Sequence, residues 1–175
     1  EEWSDSLAGG AAGGMFNPYS RLPVHQNTMF FGRNEERARI VEGLRTSQPS
    51  IWLIGQKRVG KTSLLLHLSE HELPSRGFAP VFVDFQLMDH PARADIFFEL
   101  ANAVYTRLSG DVQLESLGAP LRSLIEQDPG NQLIDYLVGV QRLLGSRRLV
   151  VLIEECGRLT DAYLNGQRDG AIVDR

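Results

Sequence analysis

With 175 residues, 42% hydrophobic and 23% charged, the chain has the length and composition of one globular domain with its own core. Its net charge of −4 comes without any basic run, so nucleic-acid binding by electrostatics alone is not indicated. The single cysteine, Cys156, excludes an internal disulfide and fits a reducing, cytoplasmic setting. No apolar stretch is long enough to span a membrane, and the acidic N-terminus lacks the apolar region of a signal peptide.

Residues 1–14 end in Gly9-Gly10-Ala11-Ala12-Gly13-Gly14, a flexible-linker composition that reads as a tether or a disordered N-terminus. The composition turns globular at Met15, so the domain is read as 15–175. Asn17-Pro18-Tyr19 and Leu22-Pro23-Val24 are extended or turn-like. Met29-Phe30-Phe31-Gly32-Arg33 leads into a helix that Asn34 can cap, with Glu35 and Glu36 suited to its first turn. Ala38, Ile40, Val41 and Leu44 give this helix an apolar side, and Gln48-Pro49 ends it.

Ile51-Trp52-Leu53-Ile54 is a short apolar run that predicts a buried strand. It opens the stretch around which the chain is organised, Gly55-Gln56-Lys57-Arg58-Val59-Gly60-Lys61-Thr62, which has the spacing of a P-loop, or Walker A motif. The glycines free the backbone to turn its N–H groups toward phosphate oxygens. The helix predicted from about Lys61 to Leu73 aims its free N–H groups and dipole at the same place. Lys61 supplies a charge for the β- and γ-phosphates, and the Thr62 hydroxyl is placed to ligate Mg²⁺. Gly55, Arg58, Val59, Gly60, Lys61, Thr62 and Ser63 are therefore the candidate nucleotide-binding residues. His67 and His71 are one helical turn apart. That spacing suits a metal, but with no acidic third ligand in a recognisable motif it reads as a solvated pair.

Phe78 to Phe85 predicts a second strand, continuous and apolar at Val81-Phe82-Val83 like a strand covered on both faces. Asp84 at its carboxyl end either enters a site or caps the following turn. Asp95 to Leu108 predicts an amphipathic helix with Phe97, Ala101, Val104 and Leu108 on one stripe, Phe97-Phe98 belonging to the core. A linker at Gly110 to Gly118, a short helix near Leu121 to Glu126, the breaker Asp128-Pro129-Gly130 and a helix from Asn131 to Leu144 come next.

Leu149-Val150-Val151-Leu152-Ile153 is an aliphatic strand that delivers Glu154 and Glu155 at its carboxyl end, the layout of a Walker B motif. One acid helps to hold Mg²⁺, and the second can polarise a water for attack on the γ-phosphate. Cys156 reads as a packed residue, since no base accompanies it. These elements predict an α/β fold, the three-layer αβα P-loop type with a mostly parallel sheet.

Asn17-Pro18-Tyr19, Met29 to Glu36 and Gly55 to Leu65 together resemble the prokaryotic branch of the AAA+-related STAND ATPases, signal-transduction ATPases with numerous domains. The resemblance covers about residues 17–160. It implies an ATP- and Mg²⁺-dependent switch in a multidomain signalling or defence protein, with other domains beyond both termini and room for a homo-oligomer. It places Phe31, Gly32 and Arg33 near the adenine, with Asn17-Pro18-Tyr19 beside them. It puts Thr62 and Glu154 at Mg²⁺, and makes Glu155 and Lys61 the catalytic pair. It also implies a further strand between the Walker A and Walker B strands, following Walker B in sequence. Ala171 to Val173 is too short to be that strand, so the chain reads as the N-terminal portion of such a domain. The family usually carries Asp where this chain has Glu154, a departure that bears on hydrolysis more than on binding. A non-hydrolysing nucleotide-binding scaffold and an AAA+ ATPase of DNA transactions are the alternatives. A GTPase is disfavoured by the absence of Asn-Lys-x-Asp.

Overall fold

The computed structural model describes residues 32–46, 50–56, 58–86, 88, 91–111 and 114–157. Within them the chain forms helix α1 (Asn34–Arg45), helix α2 (Lys61–His67), strand β1 (Phe78–Asp84), helix α3 (Arg93–Leu108), short helix α4 (Arg122–Gln127), helix α5 (Pro129–Leu144) and strand β2 (Arg148–Glu154). No described helix is long and apolar enough to cross a membrane. The Gly9–Gly14 run, Asn17-Pro18-Tyr19, Phe31 and Ala171–Val173 lie outside the described residues.

The strands β1 and β2 pair in parallel, in register from Phe78 opposite Arg148 to Asp84 opposite Glu154. Parallel neighbours need a long crossover, and here α3, α4 and α5 supply it. Alternation along each strand sends side chains to two faces, and both faces are covered. On one, Ala79, Val81 and Val83 pack with Ile96, Val104 and Leu108 of α3 and Val140 and Leu144 of α5. On the other, Phe78, Val150 and Leu152 pack with Ile40 and Val41 of α1, Leu64 of α2, and Leu68 and Leu73 beyond it. Leu68 is fully buried, so its truncation to alanine would cost roughly 2–5 kcal/mol. The molecule is thus mixed α/β, with helices on each side of a parallel pair.

Helix boundaries obey local chemistry. Asp128 and Pro129 read as a breaker in sequence, but they open α5: Asp128 accepts from the Asn131 backbone N–H at 3.4 Å, and Pro129 occupies the first turn, where its missing N–H costs nothing. In α3, Asp95 Oδ2 accepts from the Ala92 N–H at 3.0 Å and satisfies one orphan donor of the helix start. The structure moves the α1 cap from Asn34 to Arg33, whose backbone is left-handed with φ 55°. Asn34 is instead the first helical residue and accepts from Arg37 Nη1 at 3.3 Å.

One predicted strand does not form. Ile51–Ile54 has no regular secondary structure, and among the described residues the sheet consists of β1 and β2 alone. Ile51 and Leu53 pack against the α1–α2 side of the core, while Trp52 and Ile54 are 69% and 95% exposed. The segment therefore alternates in and out like a half-buried strand. It lacks the ladder of backbone hydrogen bonds that would make it one.

Candidate functional site

The stretch Gly55–Thr62 connects this extended segment to α2, and its path depends on left-handed backbone. Gly60, at φ 83°, is the residue before α2, and any residue with a Cβ would find that conformation costly by about 1–2 kcal/mol. Arg58 is also left-handed, at φ 65°. At Gly55 the constraint is milder: a Cβ there would lie 3.3 Å from Val59 Cγ2, so the Val59 side chain would have to give way by a few tenths of an ångström. The loop thus folds back toward its own start, and Lys61 closes it by donating Nζ to the carbonyls of Gly55 at 3.0 Å and Gln56 at 2.9 Å.

The next residue reaches across the fold. The Thr62 hydroxyl donates to Glu154 Oε1 at the carboxyl end of β2. The other oxygen, Glu154 Oε2, is buried and has no hydrogen-bond partner among the described residues. A hydroxyl and an unsatisfied carboxylate oxygen in one place are hard oxygen donors of the kind Mg²⁺ accepts, and that ion needs few protein ligands beside water and phosphate. The residues present therefore fit such an ion. Among the described residues no group of three His, Cys, Asp or Glu gathers as a metal cluster.

Glu155 comes next, with its side chain exposed and its backbone left-handed at φ 53°. Arg33, Arg58 and Glu155 are the non-glycine residues of positive φ among those described. All three stand where a nucleotide is expected: Arg58 in the glycine loop and Glu155 after β2 on the motifs, and Arg33 before α1 on the family resemblance alone. Backbone in sparsely populated regions concentrates at functional sites. Arg33 also touches the loop directly, its guanidinium donating to the Val59 carbonyl, and lies 3.7 Å from where a Cβ on Gly60 would be. Gly32 precedes it at φ 81°. Ser63 lies half-buried in the first turn of α2.

Asp84, opposite Glu154 in the ladder, is exposed, and its Oδ1 accepts from the Gln86 N–H at 2.8 Å. The turn-capping alternative is the one the structure displays. His67 is not solvated: it is 1% exposed within α2, its ring centroid 5.3 Å from that of His71, which is exposed. The expectation of a solvated pair fails for its first member, because His67 falls on the side of α2 that faces the core. Phe97 and Phe98 are half-buried and pack against the core clusters, on the side of the core reading, and Arg93 and Arg122 stack over them at 5.3 Å and 4.5 Å.

Sequence reasoning missed Glu72. Beyond His67 the helix continues as a π-turn over Leu68–Glu72. That turn brings Glu72, 8% exposed, against Arg37 of α1 and against Arg76. No residue pattern announces a π-turn, and Glu72 follows the polar run Ser69-Glu70-His71, so nothing in the sequence singles it out. No family model matches the chain, and neither a curated protein nor a solved structure matches it.

Proposed function

We propose that the chain is a nucleotide-binding domain that takes ATP with Mg²⁺ and converts ATP and water to ADP and phosphate, as a molecular switch of the STAND kind. The observation that carries this reading is the contact of Thr62 with Glu154. It joins the start of the helix behind a Gly-x-x-x-x-Gly-Lys-Thr loop to the first of two acids ending a parallel strand. Thr62 and Glu154 would hold Mg²⁺, which when bound would offset charge on the β- and γ-phosphates. Backbone N–H groups of Gly55 to Ser63 would receive the phosphate oxygens.

Lys61 now hydrogen-bonds two neutral carbonyls. Exchanging them for anionic phosphate oxygens gives stronger, charge-assisted bonds, so the lysine has reason to swing inward when phosphate arrives. Glu155, exposed beside Glu154, is free to accept a proton from water, the role of a general base. Gly32 and Arg33, joined to the loop at Val59, line the approach on the α1 side, where the family resemblance puts the adenine.

Calorimetry on Lys61→Ala tests the reading. ATP affinity should fall at least about tenfold, or ~1.4 kcal/mol, and unchanged affinity would sink it. A second reading, a nucleotide-binding module without turnover, is favoured by one feature. Glu154 is a methylene longer than the aspartate usual in the family, and it already uses one oxygen on Thr62. Phosphate release from the ATP-loaded protein separates the two.

A further inference from the structure

Helix α1 is fastened to the loop helix at two places. At its start, Arg33 donates to the Val59 carbonyl in the glycine loop. One turn later, Arg37 Nε donates to Glu72 Oε2 at 2.7 Å, at the far end of the same helix. Arg33 and Arg37 are themselves joined, since the Arg37 N–H donates to the Arg33 carbonyl at 3.0 Å. A bracket thus runs from the loop, through the first turn of α1, to the end of the helix that the loop begins.

The far anchor depends on the π-turn. Its i→i+5 hydrogen bond is explicit, the Leu73 N–H donating to the Leu68 carbonyl at 2.9 Å. A π-turn holds one more residue than an α-turn, which rotates the residues beyond it by roughly 100° about the helix axis. Glu72 emerges from it nearly buried, with both carboxylate oxygens used: Oε2 by Arg37 and Oε1 by Arg76 Nη2 at 2.8 Å. A buried carboxylate persists as an ion only when paired. The two arginines do not serve the same end, however. Arg76 lies in the adjoining 3₁₀ turn and closes a local i,i+4 pair. Of the two, Arg37 carries the connection over to α1. π-turns inside helices are frequent at functional sites.

We infer that Glu72 is a positioning residue for the nucleotide site: by holding Arg37 it fixes the first turn of α1, and so keeps Arg33 seated on the glycine loop in the shape that receives phosphate. This rests on the nucleotide-binding reading above. The inference concerns affinity and not chemistry, because none of Glu72, Arg37 and Arg76 reaches the Thr62–Glu154 contact among the described hydrogen bonds.

The two partners of Glu72 provide the test. Arg37→Gln removes the tie to α1 and leaves the acid paired with Arg76. Arg76→Gln removes the local pair and leaves the tie. Each variant keeps one cation on the carboxylate, so each should fold, with a melting temperature somewhat below that of the unaltered protein. Binding of ATP with Mg²⁺ is measured by calorimetry on the folded proteins, well below their melting temperatures. The expected result is a loss of affinity of about tenfold for Arg37→Gln and of less than about twofold for Arg76→Gln. Equal affinities across all three proteins, with only the melting temperatures lowered, would leave Glu72 a stability pair and overturn the positioning role. Equal losses in both variants would overturn it too, since the local pair would then matter as much as the bracket. If the unaltered protein binds no ATP, the nucleotide reading fails first and this inference with it.

Discussion

The Thr62 hydroxyl donates to Glu154 across 92 positions of chain, so the first turn of α2 and the last residue of β2 meet at one point. The meeting is a product of the sheet. Parallel pairing with β1 runs in register to Asp84 opposite Glu154, which fixes where β2 ends. Val150 and Leu152 bind its inner face to Leu64 and Leu68 of the loop helix, which fixes where α2 begins relative to it. Burial of the apolar faces thereby sets the separation of two polar groups, and the orphaned Glu154 Oε2 marks what that geometry leaves unsatisfied.

Glu154→Gln should therefore act on the cation. The amide can still meet Thr62, but it takes a weakly held neutral oxygen to the ion. We expect the Mg²⁺ concentration that half-supports ATP binding to rise about tenfold, ~1.4 kcal/mol, with binding at saturating Mg²⁺ nearly retained. A Mg²⁺ titration followed by a fluorescent ATP analogue measures this, and an unmoved midpoint would take Glu154 out of the metal site.

Glu155→Gln should act on turnover alone. The side chain is exposed and makes no part of the Thr62 contact, so ATP affinity should hold while phosphate release falls by about 100-fold or more, the range of a lost general base. Hydrolysis at the parental rate would show that the acids are assigned wrongly.

The parts of the fold that were legible in the sequence are those set by local pattern. The aliphatic runs at Phe78 and Leu149 form β1 and β2, and the stripe through Ala101, Val104 and Leu108 is buried, with Phe97 half-buried at its start. What depended on distant partners was not legible. Ile51–Ile54 has strand composition, yet a strand exists only where a neighbour completes its ladder, and Trp52 stays exposed. At the site, spacing alone singled out Lys61, Thr62 and Glu154. It gave no hint that Lys61 folds back onto Gly55 and Gln56, that Arg33 rests on Val59, or that a π-turn carries Glu72 to Arg37.

Away from the site, Asp95 makes stability depend on acid. The hydrogen bond from Arg122 Nη1, at 2.5 Å, is the main force holding its carboxyl below the ordinary 3.8; burial opposes this, and the Ala92 N–H and the charge of Arg122 add to it. A depressed acid contributes stability that is present above its unfolded value and lost as pH falls through its folded one. The stability difference between the unaltered protein and Asp95→Asn should accordingly be constant from neutral pH down to about pH 5 and shrink below 3.8. Denaturant unfolding across that range checks it. A difference that stays flat through pH 3 would mean that Arg122 does not hold the ionised form. The pair is substantially exposed, so the effect should also weaken in high salt.

Tyr136 acts at the opposite end of the pH scale. Its phenol lies between α5 and the segment after the Leu114–Ser116 turn, and it donates to the Gly118 carbonyl at 3.4 Å. Burial raises its pKa from 10.0 to about 12, and the neighbouring Tyr105 acts in the same sense, because a second phenolate would repel the first. Linkage sets the sign. Between 10.0 and about 12 the unfolded chain has given up the proton while the folded protein keeps it. Stability from this group is therefore fully present below pH 10 and declines as pH climbs toward 12. Tyr136→Phe has no proton to lose, so it should be comparatively indifferent over the same interval, and the gap between the two proteins should narrow or invert as the solution becomes alkaline. In the folded protein, Tyr136→Phe should lack the phenolate absorbance that appears only near pH 12. If that variant loses an early-titrating phenol instead, or tracks the unaltered protein's stability through pH 12, then the ring is better hydrated than its burial and its bond to the Gly118 carbonyl imply.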